Sequence, residues 1–284
     1  MVQVAYKTPS LSDAVWARLA PIIESEVGIQ MPIDKKTLLQ NRLLRRLRSL
    51  DFETFEEYCD YLFSEKGQRH EMTLFLNEIT TNKTYFFREF RHFEVLNDRI
   101  IPEFVEKRKN SAQSFRVWSA ASSTGEEVYS IACIIEEYIR SENIVLPYEI
   151  LGSDISTRVL WHAYDAIYDE EQVRMISPDL KRRYFLENKN PSRTQLRVAP
   201  EVRAHIKFRK INLMNPRYPH LEQFDVVFCR NVLIYFSRVD IECIVEKMMA
   251  HIKPGGYFIT GHADAIPIAG VGLKRIEPSV YVKL

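Results

Sequence analysis

Between positions 115 and 140 the chain reads FRVWSAASSTGEEVYSIACIIEEYIR, and its apolar positions change period partway along. Phe115, Val117 and the apolar residues beside them fit a short buried strand. From Glu126 onward Val128, Ile131, Ala132, Ile135, Tyr138 and Ile139 recur at helical spacing. The stretch between them, Ser119 to Gly125, contains nothing larger than threonine. A strand, a small-residue loop and a helix in succession predict a nucleotide-binding element. The loop lets a ligand approach the backbone, the free N–H groups of the helix start face it, and open α/β sheets bind ligands at such strand ends.

The pattern before this element is helical. Residues 10 to 80 begin with SLSD, a cap before Ala14, and Gly28 stops the first helix. A second helix is predicted from Asp34 to about Leu50, with Leu39, Leu43, Leu47 and Leu50 on one side. Beside that stripe Lys35, Arg42 and Arg46 fall within about 40° of one another on the helical wheel, and Arg45 and Arg48 extend the positive surface. Such a face is either a solvated one or a dock for an acidic partner. Helices around Phe55–Phe63 and Glu71–Ile79 follow, then TTNKTYFFR at 80–88 and a long helix from about Glu89 to Lys109 that joins the two halves near Ser111.

Beyond the central element, strands and helices alternate. YEILGSD (148–154) reads as the second strand, HIKFRKINL (205–213) as the third and FDVVFCRN (224–231) as the fourth. A helix to His251, the KPGG turn and YFITGH come next, and LKRI and VYVK form a closing antiparallel hairpin. Residues 167 to 200 break this rhythm. There YFLEN and TQLRVA flank the turn-forming NKNPS, which predicts a small antiparallel insertion with an edge able to accept a peptide.

Composition narrows the class. At 284 residues, 46% hydrophobic and 27% charged, the chain has the make-up of a globular protein with one large or two modest cores. Its 39 basic and 38 acidic side chains nearly cancel, so no overall field draws it to nucleic acid. Cys59, Cys133, Cys229 and Cys243 show no metal spacing and read as reduced core thiols. No apolar run reaches membrane-spanning length and the first residues carry no secretory pattern, so a cytosolic protein is expected.

Candidate chemistry gathers at strand ends. The loop lacks the G-x-G-x-x-G dinucleotide pattern, and Glu126 and Glu127 stand where a diphosphate would lie. Two carboxylates there favour a ligand without phosphate and with positive charge, as in S-adenosylmethionine; an ordinary helix with acids in its first turn has the same sequence. Asp154 ends the second strand, where an acid hydrogen-bonds ribose hydroxyls, and it also suits a helix cap. Arg230 and Asn231 end the buried DVVFC strand with Tyr235 four residues on, and Asn212 and Leu213 end the third. No proline follows Asn231, which counts against base-nitrogen methylation. Asn82, Thr84 and Arg88 lie beside Phe86 and Phe87, a combination that suits either a lid over a polar ligand or a capped helix start.

Through NRLLRRLR, TTNKTYFFRE, VWSAASSTGEE, GSDIS, INL and CRNVLIYF, in order and at matching spacings, the chain resembles the CheR-type chemotaxis receptor methyltransferases over nearly its whole length. The resemblance implies the fold: an all-helical N-terminal domain (1–87) with a basic receptor-docking helix, a linking helix (88–110), and an α/β Rossmann-like methyltransferase domain (111–284). A small antiparallel β-subdomain (167–205) is inserted in the last. It implies transfer of a methyl group from S-adenosylmethionine to receptor glutamates, leaving S-adenosylhomocysteine, by a cytoplasmic monomer recruited to membrane receptor arrays. Asn82, Thr84, Arg88, Glu127, Asp154, Asn212, Leu213, Arg230 and Asn231 match donor contacts, and Arg88 and Tyr235 match residues near the transferring methyl. Lys35, Arg42, Arg45 and Arg46 match the docking face. Some family members hold a receptor C-terminal pentapeptide on the β-subdomain through a glycine-containing turn, where this chain has NKNPSR. A methyltransferase for another substrate and a non-catalytic adaptor are the alternatives, separated by base-labile methyl transfer to receptor glutamate.

Overall fold

A computed structural model describes residues 9–108, 113–190, 192, 194–267 and 270–284. The chain divides into two compact units, one of residues up to Thr81 together with Tyr235–Ser237, the other of Asn82–Ile234 and Arg238–Leu284. The division falls at Thr81, earlier than the boundary at 87 expected from sequence. The expected joint near Ser111 and positions 191 and 193 of the NKNPSR turn lie outside the described residues.

The first unit contains helices α1 (Asp13–Val27), α2 (Lys36–Ser49), α3 (Phe55–Phe63), α4 (Glu65–His70) and α5 (Met72–Ile79). Local chemistry sets their ends. Ser12 Oγ accepts the Val15 N–H, Gly28 closes α1 at φ 70°, and Thr54 with Glu57 forms a reciprocal capping box on α3. Leu39, Leu43 and Leu47 are buried, as their spacing predicts.

The basic face of α2 is a different matter. Arg46 reaches Glu71 with two hydrogen bonds, of 2.8 and 2.7 Å, and the Tyr58 hydroxyl donates to the same carboxylate at 3.0 Å. Arg42 donates to the Ile79 carbonyl and to Thr81 Oγ1, and Lys35 Nζ to the Gln30 carbonyl. Arg42 and Arg46, expected on a docking face, are therefore committed inside the helical unit. Arg45 and Arg48 remain exposed.

The second unit opens with residues 82–90 in non-helical conformation, so the linking helix begins later than expected. It runs as α6 (Arg91–Val95), a π turn (Leu96–Ile100) and α7 (Ile101–Lys107). The Ile101 N–H reaches back to the Leu96 carbonyl, and this widened turn leads into Pro102, which has no N–H to donate.

The sheet then builds through β1 (Phe115–Ala120), α8 (Glu126–Glu142), β2 (Tyr148–Asp154) and α9 (Thr157–Asp165). After the insertion come β6 (Ile206–Lys210), β7 (Phe224–Cys229), α12 (Arg238–Met249), β8 (Ile252–Thr260), β9 (Leu273–Glu277) and β10 (Val280–Lys283). Among the described residues these strands make a seven-stranded sheet of order β6-β2-β1-β7-β8-β10-β9. The first five are parallel, and β10 pairs antiparallel with both β8 and β9. Phe115, Val117, Val226 and Phe228 of the central strands, with Val128, Ile131 and Ile135 of α8, form the core.

The insertion holds β3 (Ile167–Tyr168), α10 (Pro178–Tyr184), β4 (Phe185–Glu187), β5 (Leu196–Val198) and α11 (Pro200–Arg203). Its sheet is antiparallel with order β3-β5-β4, one strand more than the two runs read from sequence. Cys59, Cys133 and Cys229 are buried thiols, but Cys243 is exposed on α12 rather than in the core.

Candidate active site

Parallel pairing places the C-terminal ends of β6, β2, β1, β7 and β8 along one edge of the sheet. Asp154 pairs with Lys210, Ala120 with Ser153 and Cys229, and Cys229 with Thr260. Every loop that carries a candidate donor contact within the sheet leaves from this edge, as the switch-point rule for open sheets requires.

The loop after β1 is held in shape by its backbone. Ala121, Ser123 and Gly125 take positive φ (56°, 51° and 96°), and a Cβ on Gly125 would meet Ala163 Cβ and the Tyr168 hydroxyl at 2.9 Å. Glycine is required there both by conformation and by space. Asp154, 6% exposed, fixes the same loop by accepting the N–H groups of Ser123 and Ser156, each at 2.9 Å. Burial pushes its carboxyl above the ordinary value, an effect the backbone donors partly offset. Asp154 anchors the loop, whereas the side-chain cap of α9 is Ser156, whose Oγ accepts the Val159 N–H.

Glu127, on the first turn of α8, accepts Ser119 Oγ at 2.7 Å and Arg230 Nη1 at 2.8 Å. The Arg230 side chain is 1% exposed and forks. Its Nη2 donates to Glu89 Oε2 at 3.1 Å and to the Arg88 carbonyl, and its guanidinium lies 5.6 Å from the Phe93 ring centroid. Asn231, at φ 56°, donates its backbone N–H to Asp264 at 2.5 Å and its amide to Glu89 Oε1 at 2.9 Å. Asp264 also accepts the N–H groups of Gly261 and Ile234, and burial raises its carboxyl despite these bonds. Asn212 accepts the Met214 N–H and Leu213 is buried, one turn beyond Asp154's partner strand.

Residues 82–89 cross these loops as a strap pinned at several points. The Asn82 carbonyl accepts Ser123 Oγ at 3.0 Å, the Phe87 N–H donates to Ser130 Oγ at 2.9 Å, and the Arg88 carbonyl takes Arg230. Phe86 is buried against Tyr168 and Phe185, and the helix that follows begins at Arg91 with no side-chain cap, so the capped-start reading of this segment does not hold. Thr84 is half-buried on the strap. The Arg88 guanidinium donates to the Lys83 carbonyl at 2.9 Å and lies over Tyr85, without a carboxylate partner among the described residues.

The α/β unit thus assembles Asn82, Thr84, Arg88, Glu127, Asp154, Asn212, Leu213, Arg230 and Asn231 around one edge. Tyr235 belongs to the helical unit, where its backbone carbonyl accepts the Gln30 N–H. Sequence reasoning missed Glu89 and Asp264. Glu89 follows Arg88 directly and Asp264 stands three residues past Gly261 at the end of a core strand, so position alone pointed to both.

Three buried polar atoms along this edge, Ser122 Oγ, Arg230 Nε and Thr260 Oγ1, have no hydrogen-bond partner among the described residues. Buried polar groups are rarely left so, and a polar nucleoside laid across the strand ends fits the deficit. Glu89, His92 and His262 bring ligand-type atoms within 4.8 Å of one another. Yet Glu89 Oε2, the atom facing His92, already accepts from Arg230 and from the His262 N–H, and a guanidinium would stand against any cation there.

The strand order, the antiparallel closing pair and the acid-lined strand ends define a Rossmann-like, S-adenosylmethionine-dependent methyltransferase. The chain belongs to the CheR methyltransferase family: residues 82–280 match its SAM binding domain and residues 14–80 its all-alpha domain. Among curated relatives, it is 35% identical over 268 residues to the chemotaxis protein methyltransferase of Borreliella burgdorferi, covering 94% of this chain and 93% of that protein. It is 37% identical to chemotaxis protein methyltransferase 2 of Pseudomonas aeruginosa (89% and 87% covered) and 36% identical to the Escherichia coli chemotaxis protein methyltransferase (90% and 85%). S-Adenosylmethionine is its cofactor, and its methylation serves chemotaxis. No helix among the described residues is long and apolar enough to cross a membrane.

Proposed function

We propose that this chain methylates glutamate side chains of chemotaxis receptors, producing glutamate methyl esters and S-adenosylhomocysteine. One observation carries the choice of acceptor. Arg230 is neutralised by Glu89 and Glu127, whereas Arg88, on the strap, whose carbonyl Arg230 bonds, keeps a guanidinium with no carboxylate partner among the described residues. An unneutralised guanidinium on the strap, whose backbone is pinned to the strand-end Arg230, is a seat for an incoming carboxylate.

Asn82, Thr84, Glu127, Asp154, Asn212, Leu213, Arg230 and Asn231 hold the donor, with Asp154 toward the ribose. Bound S-adenosylmethionine supplies an electrophilic methyl group. A glutamate with an ordinary pKa of about 4.3 is ionised at neutral pH, so no residue of the chain has to remove a proton. The chain's task is alignment, which in favourable cases lowers a barrier by about 7–11 kcal/mol. Arg88 orients the acceptor carboxylate, the exposed Arg45 and Arg48 of α2 dock the acidic receptor helices, and β4, an edge strand of the small sheet among the described residues, accepts a receptor C-terminal peptide.

The test is incubation with methyl-labelled donor and receptor-bearing membranes. Label should appear on receptor glutamates and leave as methanol in mild base. Label that is base-stable, or absent from the receptor while the protein binds S-adenosylhomocysteine, overturns the assignment. Arg88→Ala should lower methyl transfer at least tenfold more than product affinity; equal losses would confine Arg88 to the donor pocket.

A further inference from the structure

Glu89, not singled out from the sequence, receives three hydrogen bonds on its side chain from two loops. It sits at φ 54°, a conformation disfavoured for a non-glycine residue, and its side chain is 14% exposed. Its Oε1 accepts the Asn231 amide at 2.9 Å, and its Oε2 accepts Arg230 Nη2 at 3.1 Å and the His262 N–H at 3.3 Å. One carboxylate therefore ties together the loop after β7, the loop after β8 and the strap.

Its backbone completes the link. The Glu89 carbonyl accepts the His92 N–H that starts α6, and the carbonyl of the preceding Arg88 accepts Arg230. Three donors from two different loops are thus satisfied by a group that itself lies on a third segment. Burial alone would raise the Glu89 carboxyl, but the bond from Asn231 and the charge of Arg230 outweigh it and lower it. The carboxylate is consequently present as an acceptor throughout the neutral range.

What would happen without it follows from geometry. Arg230 would keep Glu127 as its one carboxylate partner and the Arg88 carbonyl as a second acceptor, and would lose the charged contact that sets Nη2 against the strap. The Asn231 side-chain amide would lose its acceptor, while its backbone stayed fixed by Asp264. The two side chains at the end of β7 would stay in place but lose their orientation.

We propose that Glu89 is a positioning residue of the donor site, which sets the Arg230 guanidinium and the Asn231 amide in the orientation that receives S-adenosylmethionine. This rests on the reading of Arg230 and Asn231 as donor contacts, not on the identity of the methyl acceptor. Glu89 acts through them and touches neither donor nor acceptor itself.

The test uses the full chain with Glu89→Gln, Glu89→Asp and Asn231→Ala, alone and with Glu89→Gln and Asn231→Ala combined. S-Adenosylhomocysteine affinity is read by calorimetry, and the ligand-free fold by melting temperature and hydrogen exchange. Glu89→Gln should weaken product binding at least tenfold, leave the melting temperature within a few degrees, and speed exchange at 228–233 and 260–264. In the Asn231→Ala background the same change should cost less than in the wild type, because one of the two groups it positions is gone and only the Arg230 share remains. Glu89→Asp, which keeps the charge, should retain more affinity than Glu89→Gln.

Equal tenfold losses in both backgrounds would overturn the proposal as stated, by showing that Glu89 does not act through the Asn231 amide. Unchanged affinity in a folded Glu89→Gln protein would overturn it outright, as would a broad loss of melting temperature in both Glu89 variants. If the wild type binds S-adenosylhomocysteine but does not esterify receptor glutamate, the proposed acceptor fails and this test still reads.

Discussion

Reversing charge on α2 separates two roles that sequence alone had merged. Arg46 is 16% exposed and Glu71 2% exposed, and they share two hydrogen bonds with Tyr58 donating to the same carboxylate. Removing one partner of a buried pair leaves an uncompensated charge and costs about 3–5 kcal/mol. A unit of the size of residues 9–81 has a stability of roughly 4–11 kcal/mol at 0.05–0.15 kcal/mol per residue. Arg46→Gln should therefore consume much of the helical unit's stability. Hydrogen exchange by mass spectrometry, read on peptides from 36–79, should accelerate by about two orders of magnitude or more, at about 1.4 kcal/mol per tenfold. Peptides from the parallel sheet should not change. Arg45→Glu with Arg48→Glu, both on exposed positions, should leave exchange in 36–79 within about 0.5 kcal/mol of wild type. If Arg46→Gln leaves 36–79 as protected as before, the internal role assigned to Arg46 is wrong and the whole basic face is free to dock a partner.

Arg45→Glu with Arg48→Glu should lower methylation of receptor-bearing membranes, with the difference from wild type shrinking as salt rises; activity equal to wild type at low salt would remove α2 from docking. Gly125→Ala, forced to φ 96° against Ala163 and Tyr168, should lower the melting temperature and weaken S-adenosylhomocysteine binding, and a variant that binds normally would show that the loop tolerates the crowding. Burial would raise the Glu137 carboxyl, but hydrogen bonds from Arg140, Tyr184 and Arg183 outweigh it and bring it down to about 2. Because the folded value lies below the unfolded one, the stability this group adds is complete above about pH 4.5 and is lost as pH falls toward 2. Exchange in α10 should rise over that window, and Glu137→Gln should show the rise already at pH 7; an unchanged pH profile in Glu137→Gln would refute the linkage.

Local pattern determined much of this protein. Apolar spacing marked α2 and α8, the SLSD cap and Gly28 marked the ends of α1, and the small-residue run before Glu126 marked the ligand loop, because each depends on residues a few positions apart. The same holds for Asp154, Arg230 and Asn231, since a polar residue at the end of a buried strand must lie at the ligand edge of a parallel sheet. Tertiary structure alone decided which charges are spent internally. Arg46 meets Glu71 and Arg42 meets Ile79 across separate helices, and Glu89 meets Arg230, Asn231 and His262 across more than a hundred residues. A helical wheel counts a cation as available until its partner is known, and that partner is fixed by packing, not by spacing.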